Sequence, residues 1–289
     1  MHSFQLDNDL ELFRQDVRTL AEKEFTAKAA HWDEHEIYPE ENKNLLAELG
    51  YLGMLIPEQY GGLGLPIIQG AVFLEEIART CFNTALVAQL YLNGPAKALF
   101  ELGTEEQKQR LLPALIKGEH LIAISISEPG AGSAVTDLTT NVKKVGNDYI
   151  LNGTKCFITA GVEATHALVF ARFGDSKGSR GIGAVLVDKG MEGFSVGKPE
   201  RKMGGRAVKE AELHFDQVRI PKANIVVEGT PESSASFKRL MSSFGPERVG
   251  NAAMCVGISQ GAYETALAYS ETREQFGRPI AEFQGIQWK

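Results

Sequence analysis

The spacing of apolar side chains divides the chain into three stretches of different period. From residue 8 to about residue 116 it is helical: Leu12, Phe13, Val17, Leu20 and Ala21 recur at helical spacing, and Leu45, Leu46 and Leu49 follow a start at Pro39. A loop of turn residues, Pro57-Glu58-Gln59-Tyr60-Gly61-Gly62-Leu63-Gly64, leads to two further apolar helices predicted between Ile67 and Glu101. Thr104 and Gln107 then stand at capping-box spacing ahead of Leu111, Leu112 and Leu115.

Near Glu119 the period shortens to two, and short apolar runs separated by Gly, Asn and Asp predict strands around 121–126, 167–173, 182–187, 194–196 and 212–220. Between Tyr149-Ile150-Leu151 and Thr154-Lys155-Cys156-Phe157-Ile158-Thr159 stands Asn152-Gly153, which predicts a hairpin closed by a type I′ turn. From Ser233 the pattern is helical again, through Val256, Ala262, Leu267 and Tyr269, and it is still running at Gln287-Trp288-Lys289. The expected fold class is α+β: an all-helical domain at 1–118, a middle antiparallel β domain (barrel or sandwich) at 119–229, and at 230–289 the start of a C-terminal helical bundle, incomplete.

Composition excludes several functions. The chain has 289 residues, 43% of them hydrophobic and 23% charged, with a net charge of −7 and no basic block to track a phosphate backbone, so nucleic acid is not an expected partner. No apolar segment reaches the length of a membrane span, and residues 1–14 lack the order of a signal peptide. A cytoplasmic protein is expected. Cys81, Cys156 and Cys255 are far apart and set in apolar patterns, so they read as small core residues rather than as disulfides or metal ligands.

Two stretches offer candidate chemistry. His31-Trp32-Asp33-Glu34-His35 fits the H-x-x-E-H spacing of some zinc peptidases, but no third ligand is near, and a solvated helix end is the preferred reading; no metal site is expected. Ser127-Glu128-Pro129-Gly130-Ala131-Gly132-Ser133 follows the apolar run Leu121-Ile122-Ala123-Ile124-Ser125-Ile126. A strand end of small residues and free hydroxyls lets a large ligand approach the backbone, with Gly130, Ala131 and Gly132 adding no bulk. Taken alone it is a Gly-rich surface turn.

With Pro57-Glu58-Gln59-Tyr60-Gly61-Gly62, the 127–133 bend, Leu151-Asn152-Gly153-Thr154-Lys155, Gly178-Ser179-Arg180-Gly181 and Arg273-Glu274-Gln275-Phe276-Gly277 in this order, the chain resembles the acyl-CoA dehydrogenase family from about residue 10 to residue 289. The resemblance implies FAD as cofactor and α,β-dehydrogenation of an acyl-CoA thioester, with electrons passed to electron-transfer flavoprotein. It also implies a homo-oligomer, dimer or tetramer, and a chain short of the family's length by several helices.

Site residues follow from the resemblance position by position. Ile124, Ser125, Ile126 and Ser127 are expected beside the flavin ring, with Gly132 and Ser133 at the bend. Phe157, where many relatives carry Trp, is expected to pack on the flavin with Ile158 and Thr159. Arg273, Phe276 and Gln284 match positions that reach a neighbouring subunit's FAD. Ser133, Ser179, Arg180 and Arg248 are expected to hold substrate. In Phe244-Gly245-Pro246-Glu247-Arg248, Glu247 matches the position at which a minority of relatives carry the catalytic base; most carry it further toward the C-terminus. Ala134, Val208 and Gly245 depart from the family's habit of a polar residue, which leaves the acyl substrate open and makes a non-catalytic acyl-CoA or flavin-binding scaffold the alternative.

Overall fold

The computed structural model describes residues 5–289. Seven helices come first: α1 (Asn8–Glu24), α2 (Thr26–His35), α3 (Glu40–Glu48), α4 (Ile67–Thr80), α5 (Phe82–Leu92), α6 (Pro95–Leu102) and α7 (Glu105–Ile116). Where the sequence predicts two helices between Ile67 and Glu101 there are three, because Cys81 is extended (φ −145°) and Pro95, lacking an amide hydrogen, restarts the chain after Asn93-Gly94. Thr104 and Gln107 form the expected capping box at the start of α7. The buried Glu76 carboxylate fastens α4 to α1 through a two-pronged ion pair with Arg18, at 2.9 and 3.0 Å.

The middle of the chain forms β1 (Ile122–Ser125), β2 (Asn141–Val145), β3 (Asp148–Thr159), β4 (His166–Phe173), β5 (Ile182–Asp188), β6 (Phe194–Pro199), β7 (Glu210–Ile220) and β8 (Ile225–Val227). They make one sheet in the order β6-β7-β3-β2-β4-β5-β8, with β1 attached to β4. Most pairings are antiparallel as expected. Two are parallel: β1 lies along the first half of β4 and β2 meets its last residues, so the two share one edge of that strand.

The Asn152-Gly153 turn does not form. Strand β3 runs straight through it, and the hairpin turn is Gly146-Asn147, one strand earlier, with Gly146 at φ +64° and Val145 paired to Asp148. Gly153 instead sits at a register shift between β3 and β7, where a Cβ would fall 2.4 Å from the Thr140 hydroxyl oxygen. Glycine is needed there for close approach, not for reversal.

Two helices follow, α8 (Ala235–Ser242) and the long α9 (Gly245–Thr272), then a two-residue ribbon of β9 (Glu274–Gln275) and β10 (Arg278–Pro279), and a last turn, α10 (Gln284–Gln287). Helix α9 packs on α4 at backbone distance: Cβ atoms at Gly257 and Gly261 would lie 2.0 and 2.1 Å from the carbonyls of Glu75 and Arg79. Ala253 and Met254 are buried, but the rest of its apolar pattern faces outward, with Val256, Leu267 and Tyr269 all exposed. Cys255 is also exposed and so is not the core residue the pattern suggested, whereas Cys81 and Cys156 are buried.

Candidate active site

A cavity of about 440 Å³ opens where the end of β1, the end of β3 and the first turn of α9 converge, and it is lined by Ile124, Ile126, Ser127, Phe157, Ile158, Thr159, Glu247 and Arg248, together with apolar residues of α5, α6 and α8. The β1 wall is docked on β3 by main-chain and side-chain bonds. Cys156 N donates to Ser127 O at 2.9 Å, and the buried Lys155 ammonium donates to Ile126 O at 2.9 Å. The same ammonium pairs with Glu128 at 2.8 Å, and that carboxylate also accepts from the Thr139 amide and hydroxyl and the Thr140 amide. Burial would raise the Glu128 pKa; the Lys155 charge and the surrounding donors outweigh it and hold the group at about 2. Glu128 and Ala131 bond each other's backbone across Pro129-Gly130, which closes the bend.

At the β3 wall the strand shifts register between Lys155 and Ile158, and Phe157 adopts φ +56°. A left-handed phenylalanine costs about 1–2 kcal/mol. The rotation turns the ring out of the sheet, leaving it 63% exposed against the cavity. Strain kept at a cavity wall, holding an aromatic face open, suits a planar ligand. Thr159 donates to Glu210 at 3.3 Å.

The α9 wall carries Glu247 in the first turn, after Pro246. Its Oε2 is buried without a hydrogen-bond partner among the described residues, and burial raises the carboxyl pKa against the lowering effect of Arg248. A carboxylate partly withdrawn from water and left unsolvated on one oxygen is a stronger proton acceptor than a surface one.

Other expected residues lie outside this cavity. Ser125 is fully buried, its hydroxyl without a partner among the described residues; Gly132 and Ser133 are exposed on the bend. The Ser179 hydroxyl bonds that of Ser234 at 2.8 Å, and Arg180 is exposed. Arg273, Phe276 and Gln284 are exposed at the end of the chain, with Phe276 at φ +55° and 95% exposed. The His31 and His35 rings lie 4.3 Å apart on the surface, tilted by 38°, and no cluster of three or more metal-binding side chains occurs among the described residues. Leu90, Pro95, Val135, Met241 and Asn251 line the cavity without having stood out in sequence, because a residue inside a periodic pattern carries no mark of which cavity it faces.

Arg172 organises the loops beside the site. Its guanidinium donates to the carbonyls of Thr136 (2.7 Å), Gly178 (3.1 Å) and Arg180 (2.8 Å), with a longer bond to Leu138, so the 134–138 and 174–181 loops are held together by one side chain.

Three family models match along the chain: the N-terminal domain of acyl-CoA dehydrogenase at residues 7–119, its middle domain at 123–218 and its C-terminal domain at 237–289. The chain belongs to the acyl-CoA dehydrogenase family. It is 37% identical to the short-chain specific acyl-CoA dehydrogenase of Clostridium acetobutylicum over 285 residues, 99% of this chain and 74% of that one. It is also 37% identical to the acryloyl-CoA reductase (NADH) of Anaerotignum propionicum, covering 99% of this chain and 72% of the relative. The structure of butyryl-CoA dehydrogenase from Megasphaera elsdenii superposes with a TM-score of 0.90 at 33% identity, covering 99% of this chain and 75% of that one. The acyl-CoA dehydrogenase fold and flavoprotein class thus extend across all three parts of the molecule, which is an oxidoreductase of this family.

Proposed function

We propose that the protein removes one hydrogen from each of Cα and Cβ of an acyl-CoA thioester, with FAD bound along the 124–127 and 157–159 walls and Glu247 as the base that takes the α proton. One observation carries the reading: the unpartnered, desolvated carboxylate of Glu247 shares a cavity with the strained, outward-turned Phe157. The residues present fit a flavin. Phe157 offers a ring face, the main chain at 126–127 is fixed by Lys155 and Cys156, and Cβ atoms at Gly130 and Gly132 would meet nothing within 4 Å, leaving the bend open to close approach.

Bound FAD supplies the acceptor for the β hydride. The chain's own residues do the rest. Apolar Leu90, Val135 and Phe244 exclude water from the acyl group, and Glu247 Oε2 receives the α proton. Ser133, Ser179, Arg180 and Arg248 hold the CoA portion, with the loops carrying Thr136 and Arg180 kept in register by Arg172. Arg273, Phe276 and Gln284 serve a neighbouring subunit's FAD in a cytoplasmic homo-oligomer, and electron-transfer flavoprotein takes the electrons.

Purified protein loaded with FAD is the test. Butyryl-CoA added without oxygen should bleach the flavin absorbance. Glu247→Gln should keep the flavin and lose the bleaching by roughly 10²–10⁴-fold in rate, the span attributable to a general base. A protein that takes up no flavin would favour the non-catalytic scaffold, and a Glu247→Gln variant that bleaches normally would place the base elsewhere.

A further inference from the structure

Helices α5 and α9 meet through polar side chains directly behind Glu247. Gln89 and Asn93 of this meeting point are 5% and 1% exposed. Gln89 Nε2 donates to the main-chain carbonyl of Glu247 at 3.0 Å, and Gln89 Oε1 accepts from Asn93 Nδ2 at 3.3 Å. Each end of the Gln89 amide is therefore committed. Asn93 presents a donor, which requires the oxygen of Gln89 to face it and so turns the Gln89 amide nitrogen toward Glu247. Asn93 Oδ1 is left buried without a partner among the described residues. Such an orphan is rare and costs free energy, and turning the Asn93 amide over would set oxygen against oxygen at Gln89.

Gly250, in the next turn of α9, makes the approach possible. A Cβ there would fall 2.1 Å from Gln89 Oε1 and 2.5 Å from Asn93 Nδ2. The first turn of a helix is where fraying begins, and Glu247 lies in it. A base in a fraying turn would sample positions from which proton transfer fails.

We propose that Gln89 is a positioning residue for Glu247, its amide holding the Glu247 main chain, with Asn93 orienting that amide and Gly250 admitting it. This rests on the reading of Glu247 as the base. The pinned carbonyl fixes the start of α9 against α5, the helix that also supplies Leu90 to the cavity wall, so base and acyl wall are referred to one element. A displacement of about 1 Å at a reacting group costs on the order of 10²-fold in rate.

The test separates position from packing. FAD-loaded Gln89→Leu, Gly250→Ala and Gln89→Ala/Gly250→Ala are compared for kcat and KM with butyryl-CoA. The same variants are assayed for exchange of the α hydrogens of (methylthio)acetyl-CoA in D2O, which reports proton abstraction alone because that thioester has no β carbon. Gln89→Leu should lower kcat and exchange roughly 10- to 100-fold, with KM within about twofold and flavin content unchanged. In the double variant the methyl group introduced by Gly250→Ala occupies space left by the shortened side chain, so its folding should recover while both rates stay low. Should Gln89→Leu fail to fold, the double variant carries the same test. Rates restored to wild type in the double variant would show that the contact acts through packing alone and overturn the inference. If Glu247→Gln itself leaves exchange intact, the base assignment falls; if it abolishes exchange while Gln89→Leu does not, the positioning role alone falls.

Discussion

Replacing Lys155 by Met would test how the cavity wall is held. The Lys155 side chain is 0% exposed and Glu128 is 6% exposed as a residue. The ammonium donates to Glu128 at 2.8 Å and to Ile126 O at 2.9 Å, so Lys155→Met leaves a buried carboxylate that keeps three donors and loses its cation. Breaking such a pair from one side costs about 3–5 kcal/mol. Burial lowers the Lys155 ammonium to about 8, while Lys155 and the donors that the variant keeps together hold Glu128 at about 2, below its ordinary 4.5. The folded pKa is depressed, so this contribution is present in full above the unfolded value and disappears as pH falls from 4.5 toward about 2.

Urea denaturation at pH 7, followed by circular dichroism, should show Lys155→Met losing about 3–5 kcal/mol. Glu128→Gln/Lys155→Met should lose clearly less than the two single changes added together, because the survivor of each single change is what costs most. Wild type should lose stability between pH 4.5 and pH 2 more steeply than the double variant. A Lys155→Met cost under about 1 kcal/mol, or strict additivity in the double variant, would refute a strongly coupled buried pair.

With Glu247 as the proposed base, its raised pKa places the acid limb of kcat/KM above the ordinary carboxylate range, and a limb near about 4 would contradict that assignment or its desolvation. Phe157→Gly relieves about 1–2 kcal/mol of left-handed strain but frees the unfolded backbone by about 0.5–1 kcal/mol, so urea midpoints of the flavin-free protein should move little while FAD affinity, read by fluorescence, falls. Arg172→Met should expose the 134–138 and 174–181 loops to limited proteolysis and raise KM for acyl-CoA more than it lowers kcat. An acyl-pantetheine substrate should be affected less, and equal losses on both substrates would count against loops that grip the nucleotide end.

The helical and strand stretches were legible because period and capping are local: Thr104 and Gln107 cap α7 in the structure as their spacing predicts. The misreading at Asn152-Gly153 has a physical cause. A glycine required by a turn and a glycine required by a neighbour look alike in sequence, and the Thr140 side chain that excludes a Cβ at Gly153 comes from the residue just before the paired strand β2. Val256 and Leu267 lie on a helix as their spacing predicts, but Cys255 beside them is exposed and not core, since apolar spacing on α9 announces a face without saying what covers it. The expected site residues divide likewise: Ile124, Ile126, Ser127, Phe157, Ile158, Thr159 and Arg248 gather around one cavity with Glu247, whereas Ser125, Ser133, Ser179, Arg180 and Arg273 lie outside it.

What could not be read from any motif is why Glu247 stands where it does. Its place is set by contacts to α9 in which side chains are absent: Gly250 against Gln89, and Gly257 and Gly261 against the carbonyls of α4. Three glycines in a helix cost about 1 kcal/mol each relative to alanine, and helix propensity would remove them. Their retention in a 28-residue helix makes sense if close approach returns more than propensity loses. At Gly257 and Gly261 the return is packing, since backbone meets backbone. At Gly250 the neighbour is a hydrogen-bonded amide whose other end holds the Glu247 carbonyl, so the return includes the position of the carboxylate itself. Alanine at Gly257 or Gly261 should therefore lower stability and activity together, through the separation of α4 from α9. Alanine at Gly250 should lower the rate of proton abstraction out of proportion to any loss of stability, because the methyl displaces the side-chain amide that holds Glu247 rather than a helix backbone. Equal ratios of rate loss to stability loss at all three positions, measured by α-hydrogen exchange and urea midpoint, would refute that distinction.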